Sequence, residues 1–186
     1  LFRSELARAE TQLEAMGVAL VRRPDRGFLA TREEFATWAA GRKEHRMEWF
    51  YREMRRRHGI LLEPDGTPSG GAWNFDAENR KPWPKDLAVP PVWRVEPDEI
   101  TRTQMTRIAQ WRDRWGTVES FGLPVTRRDA VAWLERFITE RLPDFGPYED
   151  AASTTNWHLA HGRLSVALNL GLLLPEEVVH AVVREF

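Results

Sequence analysis

Residues 62–95 constrain this chain more than any other stretch. Pro64-Asp65-Gly66, Pro68, Gly70-Gly71, Pro82, Pro84 and Pro90-Pro91 leave no room there for a regular element, because proline lacks a backbone donor and glycine punctuates turns. A loop of this length inside a compact protein is either functional or a linker. This one also carries Trp73, Phe75, Trp83 and Trp93, which a solvated linker would not. It reads as an ordered connector between two parts of the molecule, pinned by aromatics. On that reading Trp73 and Phe75 are buried, and Asn74, Asp76 and Asn79 bond main-chain groups. Arg80-Lys81 leaves the loop as a basic pair and hints at an anionic partner.

The flanks read differently from each other. On the N-terminal side, Leu6, Ala9, Leu13 and Met16 step at helical spacing over Ser4–Met16 and Gly17 stops the helix. Val18-Ala19-Leu20-Val21 suits a short buried strand, and Pro24-Asp25-Arg26-Gly27 supplies a turn. Thr31-Arg32-Glu33-Glu34 is a capping box, followed by an apolar stripe of Phe35, Trp38 and Ala39 that Met47, Phe50, Tyr51 and Met54 continue. A helix, a short strand and another helix resemble the end of an α/β layer. On the C-terminal side only helices follow: Asp98–Trp115, Thr126–Leu142 with Val131, Leu134, Phe137 and Ile138 as its buried stripe, one around 162–170, and one from Pro175 to the end. The expected class is mostly α with a small α/β remnant, organised as 1–60, a connector at 61–97, and 98–186.

Composition excludes several alternatives. Of 186 residues 42% are apolar and 30% charged, so the chain is not disordered by composition. The longest apolar stretches, such as Leu170–Leu174, are far too short to span a bilayer, and no signal peptide is visible. The missing initiator Met allows a start inside a longer polypeptide. Zero cysteines exclude disulfides, thiolate zinc and iron–sulfur ligation by these residues, and fit the cytoplasmic location we expect. A net charge of −1 advertises no global basic field, so any nucleic-acid footprint is local.

Two segments carry chemistry besides the connector. Residues 41–58 hold seven Arg/Lys against three Glu, with Lys43 at one end and Arg55-Arg56-Arg57 at the other. One reading is a solvated helix end, where arginine suits the C-terminal dipole; the other is phosphate contact. Downstream, Trp157-His158-Leu159-Ala160-His161-Gly162-Arg163-Leu164-Ser165 puts a glycine and a serine at a helix start, where backbone donors and a hydroxyl form an anion site and Arg163 adds charge. His158 and His161 lack a third ligand nearby and read as hydrogen-bonding residues, not as a metal pair. No hydrolase triad motif, P-loop or complete dinucleotide fingerprint occurs.

Together the segments resemble one family. Arg42-Lys43, Met47-Glu48-Trp49-Phe50-Tyr51-Arg52-Glu53-Met54-Arg55-Arg56-Arg57, Gly59-Ile60-Leu61 and above all Gly70-Gly71-Ala72-Trp73-Asn74-Phe75-Asp76-Ala77-Glu78-Asn79-Arg80 look like the deoxyribodipyrimidine photolyase-related proteins. These are the iron–sulfur bacterial branch of the cryptochrome/photolyase superfamily, associated with (6-4) photoproduct repair. Phe145–Ala151, His161–Ser165 and Ala167–Leu173 continue the resemblance in order.

The resemblance implies that residues to about 60 end a Rossmann-like antenna domain. Residues 61–97 connect domains, and 98–186 begin an all-α FAD-binding domain. It implies FAD, held in part by Tyr148, His161, Gly162, Arg163, Leu164 and Ser165, and light-driven electron transfer from reduced flavin into UV-damaged DNA. Gly162 departs from the family, where a serine is usual. The resemblance also implies an antenna chromophore and an iron–sulfur cluster in the whole protein, with the cluster ligands outside these residues. Lys43, Arg55, Arg56, Arg57, Arg80 and Lys81 are the candidate DNA contacts. Two alternatives stay open: a cryptochrome-like photoreceptor without repair activity, and a non-enzymatic helical module that binds DNA or a partner.

Overall fold

The structure, a computed structural model, describes residues 2–21, 23–113 and 115–185. Eight helices run through them: α1 (Phe2–Ala15), α2 (Arg32–Ala39), α3 (Met47–His58), α4 (Glu99–Ala109), α5 (Arg127–Glu140), α6 (Leu142–Tyr148), α7 (Ser165–Asn169) and α8 (Pro175–Val183). Their starts follow local chemistry. The Thr31 hydroxyl accepts from the Glu34 amide at 3.1 Å while the Glu34 carboxylate takes the Thr31 amide at 2.6 Å, closing the capping box of α2. The Asp98 and Thr126 side chains cap α4 and α5 by accepting from the Thr101 and Asp129 amides, and Pro175 opens α8 at its first turn.

The expected strand at 18–21 is absent. Those four residues are exposed and irregular, and Val21 is 77% exposed. A strand is stable only as part of a ladder, and no other described segment supplies a partner for it. The one β-bridge among the described residues is an isolated antiparallel pairing of Leu62 with Pro68. The α/β remnant is therefore corrected to helix and loop, and the described chain is mostly helical, with helices as its only regular elements among the described residues.

Three helix boundaries also differ from the sequence pattern. α4 stops at Ala109, leaving Trp111 and Trp115 exposed. The helix expected to reach Leu142 breaks at Arg141, whose φ is −132°, because Pro143 cannot donate to the carbonyl one turn back; α6 restarts directly after it. The helix expected from Gly162 begins only at Ser165, since Arg163 stands in the left-handed region at φ 54°.

The main core lies in the C-terminal part. Ala130, Leu134 and Phe137 of α5 pack with Ala167 of α7 and Leu173, with Val178, Ala181 and Val182 of α8 against them. Arg127 pairs with Glu177 at 2.6 Å and fastens α5 to α8. A separate aromatic cluster joins α2 to α3, where Phe50 meets Phe35 at 5.1 Å and Trp38 at 5.0 Å between ring centroids. The connector runs between them, tied to the α6 end by Lys81 N–H to Pro147 O (3.2 Å) and Asp150 N–H to Asn79 O (3.1 Å).

Candidate functional site

Within the connector, Trp83 packs on Tyr148 at 5.1 Å and Trp93 on Trp133 at 4.8 Å, so these two tryptophans pin it as expected. Trp73 is half-buried. Phe75 is not buried: it is 52% exposed, a correction to the expected plug. Nor does Asn79 use its amide on the main chain, donating instead to the Glu149 carboxylate at 3.3 Å. Long-range anchors hold the loop around Asn79, while a local turn closes at its start, where Asp65 accepts from the Thr67 amide at 2.9 Å.

One of those anchors lies inside the basic helix. Arg55 is 6% exposed. Its guanidinium donates to Ile60 O (3.1 Å), Leu61 O and Trp73 O (3.0 Å) and lies over the Trp73 ring at 5.2 Å. Those bonds hold Leu61, a non-glycine residue at φ 48°. Arg55 is thereby removed from the candidate phosphate contacts, because its donors are consumed by carbonyls. Arg57 is divided between Glu34 (3.1 Å) and Glu53 (3.8 Å). Arg56 remains exposed with its guanidinium 4.5 Å from the Trp73 centroid. Lys43 and Lys81 are exposed, and so is Arg80, whose side chain makes a 3.4 Å ion pair with Asp150.

The second candidate segment, 157–165, is built around aromatic rings. The Arg163 guanidinium lies 5.0 Å from the Trp133 ring and 4.6 Å from the Trp157 ring. Trp133 donates its indole N–H to Gly162 O at 3.2 Å. A Cβ on Gly162 would stand 3.1 Å from the Phe137 ring, so any side chain here would require that core ring to shift. Ser165 is exposed at the first turn of α7, Leu164 packs on the core, and His161 lends its carbonyl to Arg141 at 3.0 Å. Tyr148 sits at the end of α6 against Trp83.

Electrostatics set this segment apart. Arg141 is 6% exposed and donates to Leu159 O, His161 O and Pro91 O. Burial lowers its pKa from the ordinary arginine value; neighbouring Glu140 opposes this and Arg136 adds to it, but Glu140 is itself engaged by Arg136 at 2.6 Å. Arg163 is likewise lowered, first by burial and then by the like charges of Arg141 and Arg94. Its buried Nη1 has no hydrogen-bond partner. Burial also lowers His158 and holds it neutral; its Nε2 bonds Pro90 O at 3.1 Å while Nδ1 is unpartnered. An orphaned cationic donor among like charges, with no acid to balance it, is a place that an anion would stabilise. Among the described residues no three metal-ligating side chains converge.

Sequence reasoning missed both buried arginines, although a signal was present. Arg55 stands four residues after Tyr51, and Arg141 four after Phe137 and seven after Leu134. Each continues the apolar stripe of its own helix, where a charged residue must find partners or stay out of the core.

Residues 2–123 match the family described as "Deoxyribodipyrimidine photo-lyase-related protein". The chain is also 43% identical, over 173 residues and 92% of its length, to a protein of Agrobacterium fabrum named "(6-4) photolyase". The chain spans 34% of that relative's length. No described helix is long and apolar enough to cross a membrane.

Proposed function

Because the chain belongs to the deoxyribodipyrimidine photo-lyase-related protein family, we propose that it serves a blue-light-driven, FAD-dependent photolyase acting on UV-damaged DNA, with the (6-4) photoproduct as lesion. Residues 161–165 cradle the FAD diphosphate, and the exposed basic residues of α3 and the connector face the DNA backbone. The observation that carries this reading is the buried, unpartnered Nη1 of Arg163 beside Arg141 and Arg94, without a paired carboxylate. A diphosphate supplies the acceptors and negative charge that this group lacks.

When bound, FAD supplies light absorption and the electron delivered to the lesion. The chain's own residues do the binding. The Trp133 and Trp157 rings, 5.0 Å and 4.6 Å from the Arg163 guanidinium, restrain it. The carbonyl of Gly162 is held by Trp133, which turns the chain into α7. Neutral His158 adds no further positive charge that would have to be buried. On the DNA side, Arg80, Lys81, Arg56 and Lys43 are exposed and free of the carbonyl network that consumes Arg55. The antenna chromophore and the iron–sulfur cluster belong to this proposal only as parts of a whole protein whose cluster cysteines lie elsewhere than in these residues.

A segment exchange tests the reading. The Agrobacterium relative, carrying this chain in place of its matching segment, should purify with FAD and repair (6-4) lesions under blue light. The same hybrid with Arg163→Met should lose flavin on dilution. A folded hybrid that retains FAD equally well with Arg163→Met removes the phosphate assignment. One that holds FAD but repairs nothing points to photoreception.

A further inference from the structure

Arg141 does more than fill a gap in the core. Its guanidinium gathers carbonyls from two segments far apart in sequence: Leu159 O at 3.3 Å and His161 O at 3.0 Å from the stretch leading into Arg163, and Pro91 O at 2.8 Å from the connector. A second bond runs alongside, from His158 Nε2 to Pro90 O at 3.1 Å. Pro90 and Pro91 have fixed φ and no amide hydrogen, so their carbonyls are stiff and well-defined acceptors. On the other side, Leu159 is not free to relax either: it stands at φ 32° and Arg163 at φ 54°, backbone states that non-glycine residues keep only where the surroundings hold them. The clamp grips the chain between these two residues, at His161.

We propose that Arg141 is a positioning residue that ties the anion cradle at 161–165 to the connector at Pro90–Pro91, so that filling the cradle stiffens the connector. This rests on the phosphate reading above. One planar guanidinium holds both His161 O and Pro91 O, so an anion that orders the chain at 161–165 also fixes the group that holds Pro91. The coupling is reciprocal: whatever orders the connector also raises the affinity of the cradle. Because the connector carries Arg80 and Lys81, the proposed cofactor site and the proposed DNA face then share one physical link.

Amide hydrogen exchange on the 186-residue chain, with and without inorganic pyrophosphate, tests the proposal in wild type, Arg141→Met and Arg141→Lys. In wild type, pyrophosphate should slow exchange at Leu164 and Ser165 and also at Val92 and Trp93, the first amides after the two prolines. Arg141→Met should bind pyrophosphate at least tenfold more weakly and show no slowing at Val92 and Trp93. Arg141→Lys, which keeps the charge but not the fork, should fall between them. If Arg141→Met does not fold, the wild-type response at Val92 and Trp93 and its reduction in Arg141→Lys carry the test. A wild-type chain that binds no pyrophosphate overturns the phosphate reading. One that binds it with Val92 and Trp93 unmoved, or with Arg141→Lys and Arg141→Met responding like wild type, overturns the coupling alone.

Discussion

Arg55 and Arg141 are the two buried arginines of the described chain, and they solve the same problem with different results. Each extends the apolar stripe of its helix, and each donates to three main-chain carbonyls. Around Arg55 aromatic faces take up the cation, with its guanidinium 5.6 Å from the Tyr51 ring and 5.2 Å from the Trp73 ring, and Glu48, although paired with Arg52 at 2.7 Å, lies close enough to feel it. Around Arg141 the neighbours are mainly further cations, Arg136 and Arg163, and the one nearby acid, Glu140, is engaged elsewhere. The first arginine completes a piece of structure. The second leaves positive potential behind, and a fold retains such potential at a cost unless a ligand uses it.

The largest expected effect separates the two directly. Arg55→Met strands three carbonyls and removes a charge that was already balanced, so it should destabilise the chain by about 3 kcal/mol or more. Arg141→Met strands three carbonyls as well, but it also removes an unbalanced buried cation, so its cost should be smaller, about 1–2 kcal/mol. Urea melts of both variants check the order. If Arg141→Met costs more than Arg55→Met, the charge around Arg141 is better compensated than the geometry indicates, and the contrast collapses.

The sequence made one side of this contrast more legible than the other. The caps at Thr31, Asp98, Thr126 and Pro175 are local signals, and the structure has helices starting at each. The connector's lack of periodicity is equally local, and it is observed as irregular chain. The strand at 18–21 failed because pairing is a property of two segments and the run supplies only one. The arginine clamps were hidden for a related reason. Three consecutive arginines at 55–57 look alike in sequence, and only the positions of Ile60, Leu61 and Trp73 single out the first. At the cradle, Gly162 was visible as a departure from the family, but the ring that crowds it, Phe137, lies a helix away.

A second expected effect uses pH and falls on the Arg141 side alone. His158 has a folded pKa below its unfolded value because of burial, with Arg141 and Arg163 adding to the shift and the Pro90 carbonyl opposing it. The unfolded state therefore binds the proton more readily. The stability contributed by keeping His158 neutral is present above the unfolded histidine pKa and is lost as pH falls through it towards the folded value. His161, Arg141, Arg163 and Trp157 are the groups that face it. Wild type should thus lose protection at 157–165 and at Val92 on mild acidification, and His158→Gln should flatten that response. Among the described residues no buried histidine lies on the Arg55 side, so protection at Leu61 and Trp73 should change less over the same range. Parallel loss at both sides would show that the acid response is global and not seated at His158.

The smallest effect on stability belongs to Arg80, and it separates structure from recognition on the connector itself. Its side chain is 77% exposed, and its one ion pair, to Asp150, is 3.4 Å long. Surface pairs of that kind contribute under about 1 kcal/mol, so Arg80→Ala should melt close to wild type. The backbone around it is held independently, by Lys81 N–H to Pro147 O and by Asp150 N–H to Asn79 O, so the loop keeps its path when the side chain is removed. If Arg80 meets a DNA phosphate, it must first leave Asp150. Asp150→Asn should then strengthen DNA binding slightly, while Arg80→Ala should weaken it and reduce the slope of log affinity against log salt by about one. Arg55→Met would also weaken binding, but together with folding and without a defined change in slope. Binding of damaged duplex that is equally tight and equally salt-dependent in Arg80→Ala would return the whole connector, Arg80 included, to a structural role, with its aromatic anchors as its only business.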